Sequence, residues 1–151
     1  MTGVDPATRA ALADLNARFA WSLDRHRYED LRDVLAPDVH YVGAGGELTG
    51  VEAVIASFRA RTGPRTTRHG LGNLLLTPAG DGRVTALSSW HTFASNSAHP
   101  RGVGLYQVAD FADVYARGGD GDWRIAERVI RPVFREPGLA PGPGATSGGA
   151  L

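Results

Sequence analysis

The segment RTTRHGLGNLLL, Arg65 to Leu76, places an imidazole, His69, inside a strand-like run beside an arginine and two glycines. A neutral histidine can act as a general base near pH 7, and no other side chain titrates so close to that pH when unperturbed. The bland use of a histidine there is a core imidazole bonded to a backbone carbonyl, and both readings stand at this point. His91, in SSWHTF, is a second candidate polar group. His26 and His40 flank a helix end and a strand start and are expected in solvent, and His99 falls in a loop. No HExxH or tight carboxylate–histidine spacing occurs, so no metal is expected. The GAGG run at 43–46 is not followed by Lys-Ser/Thr and is no phosphate loop. Asp110, Asp113 and Glu127 fall in strand-like segments, where surface charge or pairing with Arg128 and Arg131 is expected. Asn73 is expected to hold backbone or the sheet edge.

Two absences narrow the chemistry. The chain has no Cys, which excludes thiol nucleophiles and disulfides. It has no Lys either, which excludes Schiff-base catalysis by a lysine. A formal net charge of zero offers no footprint for nucleic acid or an anionic membrane. No apolar run reaches the ~18 residues of a membrane span, and MTGVDPATRA lacks the layout of a signal peptide. A cytoplasmic location is the default expectation.

The elements that must position His69 follow from periodicity. In DPATRAALADLNARFAWSLDRH, Asp5 can cap, Pro6 starts the helix, and Leu12, Leu15, Phe19 and Leu23 share one face. RYEDLRDVLAPD reads as a short second helix ended by Pro37, and VHYVGAGGELTG as a short strand or hairpin. In TGVEAVIASFRART, Thr49 and Glu52 have capping-box spacing before a face of Val51, Val54, Ile55 and Phe58. Four strand-like segments follow Gly63 and Pro64, punctuated by AGDG, SNSAHPRG and GGDGD. The middle loop, Ser95 to Gly102, is long enough to cover an opening. Residues 136–151 are Pro/Gly-rich and nearly uncharged, so a single domain over 1–135 with a disordered tail is expected. Helices first and antiparallel strands later is an α+β pattern.

The order and motifs together resemble the SnoaL-like branch of the nuclear-transport-factor-2-like superfamily, the cone-shaped α+β barrels. FAWSLDRHRYEDLRDVLAPDV is similar to the first helix pair, ELTGVEAVIASF to the opening of the third helix, and TRHGLGN to the Thr-Arg-His…Asn signature of the next strand. VADFADVYARGGDGDWRIAERVIRPVF is similar to the closing hairpin. The resemblance spans roughly residues 8 to 135. It implies a curved antiparallel sheet wrapped around N-terminal helices, with Asp24 at the end of helix one facing His69 inside the cone. In the family's dehydratases such a carboxylate fixes the tautomer of the histidine and stabilises the imidazolium. Away from the resemblance, Asp24 reads equally as a surface or helix-end residue. The chain departs from scytalone dehydratase in having Leu23 and Gly43 where that enzyme would ask for tyrosines. Tyr41 lies two residues before Gly43, so the scytalone reaction is not carried over.

The resulting expectation is a cofactor-independent dehydratase or isomerase acting on a cyclic or polyketide-like substrate, with Asp24 and His69 as catalytic pair. A polyketide cyclase, or a non-catalytic small-molecule-binding or dimerisation domain of the same fold, is the alternative. The substrate cavity is expected to be apolar, lined by Phe19, Leu23, Tyr41, Phe58 and Trp90, with His91 as a further candidate. In RVTALSSWHTFA either Val84, Ala86, Ser88, Trp90 and Thr92 point inward, or Leu87, Ser89, His91 and Phe93 do, since a slip of one residue reverses the face. The first set has the better small-to-large gradation for a tapering cone. Apolar residues on both sides of the later strands lead to the expectation of a homodimer through the outer sheet face.

Overall fold

The computed structural model describes residues 3–99 and 102–142. Helix α1 (Pro6–Asp24) starts where expected, with the Asp5 carboxylate accepting the Thr8 N–H at 3.0 Å and Pro6 in the first turn. Its Leu12, Leu15, Phe19 and Leu23 face is buried throughout. The chain leaves α1 through His26, which takes a positive φ of 56°. The segment read as a second helix is only a 3-10 turn, Tyr28–Asp33. Pro37 does not end it: that proline lies inside strand β1 (Leu35–Gly43), near its start, where a missing N–H is tolerated.

Strand β2 (Gly46–Thr49) closes a hairpin on β1. Helix α2 (Val51–Arg59) buries Val51, Val54, Ile55 and Phe58 as expected, but it has no capping box. Thr49 belongs to β2, and Gly50, with a φ of 90°, occupies the cap position without a side-chain bond. Glu52 instead pairs with Arg32, its Oε1 2.6 Å from Arg32 Nε.

Strands β3 (Thr66–Pro78), β4 (Val84–Ser95), β5 (Gly104–Arg117) and β6 (Trp123–Arg135) form an antiparallel meander. The sheet order is β2-β1-β6-β5-β4-β3, curved and unclosed. One pair departs from the antiparallel expectation: β1 runs parallel to β6. No hairpin joins those two strands, so the turn constraint that makes neighbours antiparallel does not apply to them. The β4 alternation resolves in favour of the first set: Val84, Ala86, Ser88, Trp90 and Thr92 are buried, and Leu87 and His91 lie on the other face.

The chain continues beyond β6 against the body of the fold. Pro137–Leu139 make a 3-10 turn, Arg65 donates to the Leu139 carbonyl at 2.8 Å, and Asn96 donates to that of Ala140 at 2.9 Å. The rest of the expected tail, 143–151, lies outside the described residues, as do residues 100–101 of the long loop. Among the described residues no helix is long and apolar enough to cross a membrane.

Candidate active site

Asp24 is the last residue of α1, and the helix lays its carboxylate against the inner face of β3. Oδ1 accepts from the Thr67 hydroxyl at 2.8 Å and from His69 Nδ1 at 2.6 Å, while Oδ2 accepts the His69 backbone N–H at 3.0 Å. Thr67 and His69 alternate with Arg68, so one strand supplies all three donors to one carboxylate. Burial pushes the Asp24 pKa up, but the His69 side chain, the His69 amide and Thr67 together outweigh it and hold the group below its ordinary 3.8. The carboxylate is therefore ionised at neutral pH and can only accept, so the neutral form of His69 carries its proton on Nδ1 and its lone pair on Nε2.

The two side chains differ in access. Asp24 is 3% exposed and His69 16%. Both line a cavity of about 230 Å³ between α1 and the free edge of the sheet at β3. That is at the small end for a ligand site, since drug-sized molecules occupy about 300–1,000 Å³. Ala13, Ala17 and Ala20 form its helical wall, Leu71 and Trp90 its sheet side, and Asn16, Trp21 and Arg68 complete it. An imidazole base beside an ionised carboxylate in a mostly apolar recess can remove a proton next to a carbonyl or from a hydroxyl.

Below the cavity lies a buried charged network. Arg128 makes two bonds to Asp113, Nε to Oδ1 at 2.8 Å and Nη2 to Oδ2 at 2.7 Å, and both side chains are wholly buried. Arg128 Nη2 also donates to Asn16 Oδ1 at 2.6 Å, and Tyr115 donates to Asp113 at 2.8 Å. Phe19, Trp90 and Phe111 pack around the guanidinium with centroids at 4.3, 5.3 and 4.9 Å. Burial alone would depress the Arg128 pKa, but the Asp113 charge and bonds raise it. Burial pushes the Tyr115 hydroxyl well above its ordinary range, aided by Asp113. This network holds Asn16, a wall residue, and Trp90, which stacks on Phe111 at 4.8 Å.

The structure brings Asp24, His69 and Trp90 together at the cavity. Phe19, Leu23, Tyr41 and Phe58 are buried core residues and do not line it, because the cavity opens along the α1–β3 edge rather than down the cone axis. His91 lies on the outer face of the sheet over Gly70, where a Cβ would fall 2.1 Å from its Nε2. Of the other histidines, His40 bridges Glu127 and Glu47 at 2.9 and 2.7 Å, and His26 bonds the Arg65 carbonyl at 3.0 Å. Sequence reasoning missed Trp21, Arg68, Asn16 and the alanine wall. A signal was present: Ala13, Ala17 and Ala20 recur at four and three residues and lead to Asp24, a stripe too small to fill space against a sheet.

The stability of this arrangement depends on pH with a definite sign. A carboxylate whose pKa is lower folded than unfolded contributes stability above its unfolded value, and that contribution is lost as pH falls through the folded value. The stability difference between wild type and Asp24→Asn is therefore expected to shrink as pH falls from 5 to below 3.8, read from urea midpoints. A constant difference across that range would mean that the Asp24 charge is not stabilised by its three donors.

Comparison with known proteins places the chain. Residues 6–129 match the model of the SnoaL-like domain. ActVI-ORFA from Streptomyces coelicolor is 18% identical, with a TM-score of 0.72 over 84% of this chain and 98% of that one. A Catenulispora acidiphila protein solved in complex with S-DNPA is 23% identical, with a TM-score of 0.73 over 85% of this chain and 95% of that one. A protein provisionally named scytalone dehydratase from Novosphingobium aromaticivorans is 17% identical, with a TM-score of 0.72 over 96% of each chain. No curated protein matches in sequence. At these identities the solved structures establish the fold, an α+β cone, and the family match over most of its length shows that the chain belongs to the SnoaL-like domain family.

Proposed function

We propose that the protein is a cofactor-independent dehydratase or isomerase of a small cyclic, polyketide-like substrate, with His69 as general base and Asp24 as the group that orients it. The observation carrying this reading is the 2.6 Å His69 Nδ1–Asp24 Oδ1 bond at the wall of an apolar cavity, which leaves Nε2 as the free base. In an elimination, Nε2 takes the proton next to the substrate carbonyl and the C–H electrons form the new double bond. The C–O bond breaks, and the proton held by His69 leaves with hydroxide as water. In an isomerisation the same proton returns to a different carbon. The dehydratase name of the Novosphingobium structure is compatible with such chemistry, and a ring closure would begin with the same proton removal.

The test is proton exchange in D₂O. A hydroxylated tetralone incubated with the protein is expected to gain deuterium next to its carbonyl, or to lose water, faster than in buffer, as read by NMR. No acceleration across a panel of such ring ketones would sink the catalytic reading and leave the binding-domain alternative.

A homodimer through the outer face of the sheet belongs to the same proposal. Leu75 and Leu87, 62% and 50% exposed, are cross-strand partners there, as are Phe93 and Leu105, also exposed. Solvated sheet faces carry polar residues, and covered ones do not need to. Light scattering is expected to give twice the 16.0 kDa chain mass at micromolar concentration, and Leu87→Arg to return the monomer. A monomer mass for the wild type contradicts it.

A further inference from the structure

Removal of a proton next to a carbonyl puts negative charge on the carbonyl oxygen, and that charge needs a hydrogen-bond donor in the cavity. Most of the lining side chains have none to give. Asn16 uses both amide hydrogens, Nδ2 donating to the Leu12 carbonyl at 2.9 Å and to the Tyr115 hydroxyl at 2.8 Å. Trp90 Nε1 donates to Ser88 Oγ at 3.0 Å. His69 Nδ1 is committed to Asp24, which only accepts. The alanines and Leu71 carry no polar side-chain atom. Trp21 and Arg68 are left, and of these Arg68 alone is charged.

Arg68 reaches the cavity round the edge of the sheet. It is the cross-strand partner of Phe93, so its Cβ belongs to the outer face with that exposed ring. Strand β3 is the last of the sheet, and no further strand stops the side chain from turning over the free edge. There Nη1 donates to the Thr67 carbonyl at 2.8 Å, and the guanidinium lies 5.5 Å from the Trp21 ring centroid. Arg25 stands on the same indole at 4.6 Å, and Trp21 is half exposed. The cavity thus has a cationic, aromatic rim, with His69 the next residue along β3. An exposed arginine leaning on a tryptophan is common packing, and other arginines of this chain also lack a carboxylate. Arg68 is set apart from them by lining the cavity of the base.

We propose that Arg68 is a further catalytic residue, whose guanidinium binds the substrate's carbonyl oxygen and holds the negative charge that develops there when His69 takes the adjacent proton. This role rests on the proton-transfer reading of the same site. The C–H electron pair becomes the new C=C bond, the carbonyl π pair moves to oxygen, and the proton goes to His69 Nε2. Arg68 keeps its own protons, because a guanidinium is not deprotonated in proteins. The charges then match in pairs. Before transfer, Asp24 is negative, Arg68 positive, and base and substrate neutral. After it, the imidazolium faces Asp24 and the enolate faces Arg68, so neither new charge stands alone in the recess. The ligand is accordingly a flat ring, suited to the Trp21 indole, whose oxygen is neutral on binding and anionic in the transition state. A phenolate is the stable equivalent of that anion.

Two measurements test it, one of them without turnover. 4-Nitrophenol, whose neutral and ionised forms absorb at different wavelengths, is titrated with wild type, Arg68→Met, Trp21→Phe and His69→Ala. Wild type is expected to bind the phenolate about 10-fold or more tightly than the phenol, the scale of an opposite charge a few ångström away. Arg68→Met is expected to lose that preference, and Trp21→Phe and His69→Ala to keep it. A preference that survives in Arg68→Met, or that only Trp21→Phe or His69→Ala removes, overturns the assignment, as does no saturable binding to wild type. In the tetralone exchange, Arg68→Met is expected to lower kcat about 100-fold or more, with KM within a few-fold, because the missing bond is strongest in the transition state. Arg68→Lys, which keeps the charge without the planar fork, should recover part of the loss. Exchange by wild type that Arg68→Met leaves unchanged sinks the Arg68 role alone, and a rise in KM at constant kcat reduces Arg68 to a binding contact. No exchange by wild type, with the phenolate preference intact, sinks the proton-transfer reading and the catalytic role with it, and leaves Arg68 an anion-binding group.

Discussion

His69→Ala is expected to lower the rate of proton exchange, and of turnover on the true substrate, about 100-fold or more. The expectation rests on Nε2 being the one unpaired basic atom of the Asp24–His69 pair, since Nδ1 is committed to Asp24 at 2.6 Å. The fold should survive: the His69 side chain is partly exposed, and the backbone N–H that bonds Asp24 Oδ2 is retained in alanine. Asp24→Asn separates orientation from basicity. An amide at that position can present N–H rather than oxygen to Nδ1, which shifts the imidazole proton to Nε2 and removes the base. It should therefore impair exchange while leaving His69 in place. Near-wild-type exchange in a folded His69→Ala protein would end the general-base assignment. The same result in Asp24→Asn would limit Asp24 to a structural bond.

Breaking the Arg128–Asp113 pair is expected to have the largest effect on stability. Arg128→Met or Asp113→Leu each leave one uncompensated charge in a site sealed by Phe19, Trp90 and Phe111. The typical cost is about 3–5 kcal/mol, which for a domain of this size corresponds to a fall in Tm of about 10 °C or more. The double variant is the informative control. With both charges gone, only the Asn16 and Tyr115 bonds remain unsatisfied, so it should be more stable than either single variant. Losses that simply add in the double variant would show that the charges act independently, against the geometry of two bonds within 2.8 Å. Because Asn16 and Trp90 stand on this network, the single variants should also loosen the cavity wall.

Several elements of this protein were determined by local physics. Asp5 and Pro6 start α1, and the Leu12–Leu15–Phe19–Leu23 stripe could bury only one way on a helix. The period-two pattern of β4, with small residues giving way to Trp90, selected the inward set. His69 stood out because an imidazole in an apolar strand needs a reason, and its pairing with Asp24 came through family resemblance rather than spacing, since 45 residues separate them. Where local signals misled, a longer-range contact had won. Thr49 and Glu52 have capping-box spacing, but Thr49 was taken by the β1–β2 hairpin and Glu52 by Arg32. The turn at 28–33 is too short to hold a full helix between α1 and β1.

Only the tertiary structure decided which apolar residues line the cavity and which fill the core. Phe19, Leu23, Tyr41 and Phe58 have the composition of a pocket wall, but a side chain lines space only where no neighbour reaches it. That depends on how α1 leans on β3, and the alanines at 13, 17 and 20 make the gap there. Tertiary structure also decided the fate of the charges. From sequence, Asp113 read as surface charge or as a partner of Arg128 or Arg131. Folding buried Asp113 and Arg128 together against three rings. Burial of a charge is settled by every element that converges on it, and no stretch of sequence carries that sum.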